Sequence, residues 1–176
     1  MSHEEHRREG PRAVRLAVVT ASDTRGEAED ASGAWLRAQA GAAGHAVVLY
    51  QVVKDEPEAI RGALSAARAA GAQVILVNGG TGIAARDRSY EAVAGLLEKR
   101  LDGFGELFRT LSFAEIGSAA MMSRAVAGVW RGAAVFSMPG STAAVRLAWE
   151  RLVAPELSHL VRELEKDAPG PGAPAR

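Results

Sequence analysis

The sequence predicts an α/β fold of three layers, with helices on both faces of a mostly parallel sheet and one antiparallel hairpin near the C-terminal half. Three observations predict it. Up to about Arg100, short apolar runs and amphipathic segments follow one another as strand, helix, strand, helix, strand, helix, a rhythm that builds parallel sheets covered on both faces. The strand-like runs are almost continuously apolar, as strands buried on both sides are. Beyond Asp102 the rhythm changes, and two strand-like runs are joined only through Arg131-Gly132, a link that suits an antiparallel hairpin.

Val14 to Thr20 is short, β-branched and apolar, and reads as the first strand, with Ala21-Ser22-Asp23 as the loop after it. Ser32 to Ala43 reads as a helix, with Asp30 or Ser32 as N-cap and Gly44 as its stop. Ala46 to Val53 is the second strand, Pro57 to Ala70 the second helix, ended by Gly71, and Gln73 to Val77 the third strand. A helix is expected from Asp87 to about Arg100, and a short one from Glu106 to Leu111 that Ser112 to Ile116 continue. Arg124 to Val129 and Ala133 to Met138 are the hairpin strands. Ser141 opens a long terminal helix with an apolar stripe, kinked or restarted at Pro155.

The chain has 176 residues, a size for one domain, expected over 13–165 between flexible tails at 1–12 and 166–176. Formal net charge is zero and there is no large basic block, which argues against nucleic acid as a partner. Cysteine is absent, excluding disulfides and thiolate metal sites. No apolar run is long enough to span a bilayer, and the first residues lack the apolar core of a signal peptide, so a cytoplasmic location is expected. His3 and His6 lie in the first tail, with no ordered partners evident for a metal.

Gly79-Gly80-Thr81-Gly82, directly after the apolar run Val74 to Val77, points to the chemistry. Glycines permit positive φ and close backbone approach to a ligand. Successive free amides make a cradle for anions, and a helix N-terminus adds positive potential. Gly80, Gly82 and Ala85 match the loose G-x-G-x-x-A dinucleotide fingerprint, which also wants an acidic residue about 20 positions on at the end of the next strand. Asp102 has the spacing but follows residues that read as helix, and no Gly-Lys-Ser/Thr follows the glycines, so neither NAD nor a P-loop is expected. A plain strand-to-helix turn stays open as the simplest reading.

With Arg86-Asp87 after this loop, the chain resembles the MogA/MoaB family of molybdenum cofactor biosynthesis proteins. Ser22-Asp23-Thr24-Arg25, Glu29-Asp30-Ala31-Ser32-Gly33, Gly103 to Arg109, Ser123-Arg124-Ala125 and Met138-Pro139-Gly140-Ser141 resemble its other elements in the same order. Pro139-Gly140-Ser141-Thr142, Ala148-Trp149-Glu150 and Ala154-Pro155-Glu156-Leu157 are most similar to the MoaB branch. The resemblance runs from about Val14 to Leu164. It implies an α/β fold, a homo-oligomer (a trimer or dimer of trimers), and adenylyl transfer from Mg-ATP to molybdopterin with release of pyrophosphate. The alternative is a non-catalytic MoaB-type protein that binds or carries molybdopterin.

Under the resemblance, Gly79, Gly80, Thr81 and Gly82 hold phosphate. Asp87 and Asp55 resemble functional acids of the family and are the expected catalytic and magnesium-binding residues. The simpler alternative for Asp87 is a helix N-cap, and Asp55 sits at capping-box spacing in Asp55-Glu56-Pro57-Glu58. Glu106 is expected at the metal or the pterin edge, and Ser123 and Arg124 at the pterin phosphate, against solvated-charge and strand-edge ion-pair alternatives. Gly140 and Ser141 form a second anion site or a simple cap. Ser22 and Asp23 lie at a strand's carboxyl end, where ligands collect. Trp35, Trp130 and Trp149 read as core or subunit contacts. Two departures stand out: Ser89-Tyr90-Glu91 where the family often has Thr-Pro-Glu, and Ala85 where it has proline before the arginine. A bulky Tyr90 near the site motivates the binding-only alternative.

Overall fold

A computed structural model describes residue 11 and residues 13–166; the rest of both expected tails lies outside the described residues. Six strands form one sheet: β1 (Arg15–Ala21), β2 (Ala46–Val53), β3 (Val74–Asn78), β4 (Lys99–Arg100), β5 (Val126–Trp130) and β6 (Ala133–Met138), in the order β2-β1-β3-β6-β5-β4. β2, β1, β3 and β6 run parallel; β5 and β4 are antiparallel to their neighbours. The helices are α1 (Ala31–Ala42), α2 (Pro57–Ala69), α3 (Ser89–Ala94), α4 (Asp102–Ile116), α5 (Thr142–Ala148) and α6 (Leu157–Glu165).

The period-2 alternation of strand side chains divides the buried residues between two cores. Leu16, Val18, Leu76, Phe136 and Met138 pack on one face with Leu36, Phe108 and Trp149. Ala17, Val19, Ile75, Val77 and Val135 pack on the other with Ile60, Leu64 and Val93. The three expected layers therefore form, with α2 and α3 on one side and α1, α4, α5 and α6 on the other. Trp130 and Trp149 are buried, and Trp35 packs partly buried against the first core.

The hairpin between β5 and β6 closes through Arg131 (φ 47°) and Gly132 (φ 72°), with Trp130 paired to Ala133. Two positive φ angles in a two-residue link are those of a type I′ turn, whose twist matches that of the strands.

Three expected elements differ. The helix placed from Asp87 to about Arg100 is only Ser89–Ala94; Gly95 ends it, and Glu98 N donates to Val129 O (2.8 Å) as Lys99 and Arg100 join β5 as an antiparallel edge. Asp102 thus does follow a strand, but one three places away from β3 and antiparallel to β5, so the dinucleotide arrangement fails on topology. α4 begins four residues before Glu106 and runs unbroken to Ile116. The last helix is a series: α5, a π-helical stretch Trp149–Val153, a 3₁₀ turn Ala154–Glu156, then α6. Pro155 lacks an N–H and so cannot continue the i→i−4 ladder.

Candidate functional site

The carboxyl ends of the parallel strands β1, β2 and β3 and the start of α5 converge on one rim. Gly79 and Gly80 adopt φ of 100° and 60°, angles that side chains other than glycine's rarely tolerate. Space forbids one as well: a Cβ on Gly79 would sit 2.2 Å from Ala21 O, and one on Gly80 2.2 Å from Asp55 Oδ2 and 2.3 Å from Ser89 Oγ. Gly140, on the loop after β6, approaches so closely that its Cβ would be 2.9 Å from Gly79 Cα.

Gly79 N donates to Met138 O (3.0 Å) and so continues the sheet. The amides of Gly80, Thr81, Gly82, Gly140 and Ser141 donate to no protein acceptor among the described residues. The anion cradle expected of the whole glycine loop therefore narrows to Gly80, Thr81 and Gly82. Ser141 caps α5 through Ala144 N to Oγ (3.2 Å).

Two cavities meet at these glycines. The first, of about 260 Å³, holds Ser22, Asp23, Arg25, Asp55, Arg86 and Asp87 among its lining. The second, of about 290 Å³, presents Thr81, Gly82 and Ser141 on one side and Phe108, Ile116 and Met122 on the other. Gly80 and Gly140 line both.

Asp55 is buried (8 % exposed) and is not a helix cap: Glu56 occupies the N-cap of α2 without a side-chain bond, ahead of Pro57. Asp55 Oδ1 instead accepts from Arg88 N (3.2 Å) and Ser89 Oγ (3.1 Å), across the loop that carries Asp87. Burial pushes its carboxyl above the ordinary value, with the neighbouring Asp87 and Asp23 adding to the effect. Asp23 Oδ1 accepts from Asp55 N (3.0 Å), so it orients the backbone on which Asp55 stands. Asp87 does not cap α3 either; its Oδ2 accepts from Ala84 N (2.9 Å) and closes the loop on itself, while Arg88 is the N-cap.

The other three expected residues border one further cavity. Glu106 is exposed in a third cavity of about 450 Å³ beside Arg100, Asp102 and Arg109, away from the glycines. Ser123 lines both this cavity and the second. Arg124 lines the third cavity as well, while its guanidinium donates to Thr81 O (3.2 Å) and Asp87 O (2.9 Å) and pairs with Glu91.

A buried polar network lies under the rim. Asp30 is 1 % exposed, caps α1 through Gly33 N (3.0 Å), and accepts from Thr20 Oγ1 (2.6 Å), Tyr50 OH (2.8 Å) and Ser32 Oγ (3.1 Å). Asn78, the residue before Gly79, donates to Thr20 Oγ1 (2.8 Å) and accepts from Ser32 Oγ (3.0 Å). Sequence reasoning placed Asp30 and Ser32 as alternative helix caps within a family-like segment and left out Asn78 altogether; buried polar side chains at the end of an apolar strand were the available signal.

The geometry fits what the chain is similar to. The family model described as "Probable molybdopterin binding domain" matches residues 17–159. Molybdenum cofactor biosynthesis protein B of Halalkalibacterium halodurans is 55% identical over 169 residues, 95% of this chain and 99% of that one. The crystal structure of a molybdenum cofactor biosynthesis protein B is 50% identical with a TM-score of 0.85, over 89% of this chain and 99% of its own. That of the tungsten cofactor synthesizing protein MoaB from Pyrococcus furiosus is 37% identical with a TM-score of 0.82, over the same shares of each chain. With identity of this order along nearly the whole length of its relatives, the chain belongs to the MoaB family of molybdenum cofactor biosynthesis proteins.

Proposed function

We propose that this protein, in molybdenum cofactor biosynthesis, transfers the adenylyl group of Mg-ATP to molybdopterin and releases pyrophosphate. The observation that carries this reading is the junction at Gly80 and Gly140: ligands in the first two cavities would meet over the bare backbone of these two glycines. The free amides of Thr81, Gly82 and Ser141 suit a phosphate monoester, and the apolar wall of Phe108, Ile116 and Met122 suits a flat ring. The first cavity is then left for the nucleotide's phosphates.

Asp23, Asp55 and Asp87 crowd negative charge into that first cavity, and hard oxygen donors of this kind fit magnesium. Among the described residues no three acids or histidines form a cage for a metal by themselves; magnesium sites completed by phosphate and water need none. Asp55 and Asp87 are the residues that would hold the ion, which when bound would offset the charge of the phosphates.

In the transfer, an oxygen of the pterin's phosphate dianion bonds to the α-phosphorus. The bond from that phosphorus to the β-bridging oxygen breaks, and its electron pair leaves with pyrophosphate. No protein nucleophile and no obligatory proton transfer are required; the chain contributes positioning and positive potential. A homo-oligomer built from trimers and a cytoplasmic location belong to the same proposal.

The test is incubation of the purified protein with Mg-ATP and molybdopterin, with the product identified by mass. Adenylylated molybdopterin and pyrophosphate are expected, and Asp87→Ala should lower the rate at least about 100-fold by removing an anchor for the ion. Saturable molybdopterin binding with no adenylylated product would establish the binding-only alternative. Tyr90, which motivates that alternative, lines the third cavity rather than the first two, with its hydroxyl accepting from Arg100 (3.3 Å) and its ring beneath Arg124.

A further inference from the structure

Arg25 stands out among the cations of the rim. It is half-buried, yet among the described residues its guanidinium pairs with no carboxylate, although Asp23, Asp55 and Asp87 line the same cavity. Ser22 Oγ accepts from Arg25 N (3.1 Å) and Nε (3.4 Å), so one hydroxyl holds both the backbone and the root of the guanidinium. That anchoring leaves the terminal nitrogens to point onward. Nη2 lies 3.4 Å from the position a Cβ on Gly140 would occupy, over the seam where Gly140 meets Gly79. A partly desolvated, pre-oriented and unpaired guanidinium is the residue type that recognises phosphate through a planar fork. Arg86 lines the same cavity but is exposed and has no such anchor among the described residues.

We infer that Arg25 is a phosphate-binding residue placed at the junction of the two cavities, where it donates to the phosphoryl group passed from nucleotide to pterin. This rests on the adenylyl-transfer reading for the identity of the ligand, but the contact itself is measurable without turnover. Its position over the seam distinguishes it from the amides of Gly80 to Gly82, which approach from β3. A guanidinium there meets negative charge as it develops on the equatorial oxygens and requires no reorganisation to do so.

The experiment is equilibrium binding of Mg²⁺ with α,β-methylene-ATP, whose bridging bond cannot be cleaved, and of adenosine as a phosphate-free control, to wild type, R25M and R25K. R25M is expected to bind the analogue about tenfold or more weakly while binding adenosine as the wild type does. R25K, which keeps the charge and loses the fork, should fall between them. Where wild type turns over, R25M should lower kcat about 100-fold, with a much smaller change in the KM for molybdopterin. Unchanged analogue affinity in R25M overturns the assignment, as does an equal loss for analogue and adenosine, which is the mark of a merely structural arginine. If R25M does not fold, R25K decides in the same way. Wild-type binding of the analogue without any turnover would remove the adenylyl-transfer reading while the R25M comparison still judges Arg25; no wild-type binding would overturn both.

Discussion

Arg124 Nη2 donates to the backbone carbonyl of Asp87 at 2.9 Å, while its Nε donates to that of Thr81 at 3.2 Å. One guanidinium, two residues before β5, thereby fastens both ends of the loop that presents Asp87. Glu91 pairs with it and the Tyr90 ring lies 5.2 Å from its centre. Arg124 is on this geometry a positioning residue. Arg124→Met should speed amide hydrogen exchange across residues 82–88, lower kcat about tenfold or more, and cost on the order of 1–2 kcal/mol of stability. Arg124→Lys, with one point donor in place of a fork, should recover the stability better than the rate. An unaltered exchange pattern in Arg124→Met would dismiss the positioning role.

Asp55 sets function against stability. Its carboxyl ionises above the ordinary carboxylate value because of burial first, and then the charges of Asp87 and Asp23. Ionisation therefore costs folding free energy; the cost is absent below the unfolded value near 3.8 and complete once the pH exceeds the folded value. Asp55→Asn keeps an acceptor for Arg88 N and Ser89 Oγ. It should melt above wild type at neutral pH, converge with it as the pH falls toward about 4, and lose turnover. Thermal unfolding followed across pH checks this, and a variant that melts lower at neutral pH contradicts it.

Gly80 tests the junction. Gly80→Ala adds a methyl 2.2 Å from Asp55 Oδ2 in a backbone with φ of 60°, so Asp55 or the loop must move. A loss of about 1–3 kcal/mol in chemical denaturation is expected, together with loss of nucleotide affinity. Gly41→Ala, on α1 where nothing lies within 4 Å of a new Cβ, should leave nucleotide affinity unchanged.

Asp30 holds the underside of the rim. Burial alone would push its carboxyl up, but bonds from Thr20, Gly33, Tyr50 and Ser32 outweigh it and hold it below the ordinary range. Tyr50, by burial and by its bond to Asp30, is pushed up to about 12. A lowered carboxyl contributes stability that is present above the unfolded value and lost as the pH falls through the folded one. Asp30→Asn should thus cost on the order of 2–4 kcal/mol at neutral pH, and less in acid, where wild type itself weakens. Tyr50→Phe removes a single donor and should cost only about 1 kcal/mol. Urea midpoints at neutral and acid pH decide.

The parallel half of the sheet was readable because each of its strands carries an unbroken apolar run, and Gly44 and Gly71 (φ 81° each) mark helix ends in the sequence as they do in the structure. β4 was not: Lys99 and Arg100 are charged, exposed and only two, and they are strand only because Val129 and Gly128 pair with them. No local period reports such a pairing. The glycine rim was legible for a related reason, since positive φ restricts the residue type. The direction of Arg124 is a tertiary outcome, decided by where the Thr81 and Asp87 carbonyls come to rest, and residue type alone leaves it undetermined. Asp55 was misread as a possible cap because its true partners, Arg88 and Ser89, are 33 and 34 positions away.

Gly79, Gly80 and Gly140 close against one another and their neighbours too tightly to admit even a methyl group. Drift in the sequence can therefore reshape what either chamber accepts, through Phe108, Met122 or Arg86 on their outer walls. The doorway between the chambers has no such freedom. New preferences for one ligand can accumulate at the periphery while the distance over which two ligands face each other stays as it is.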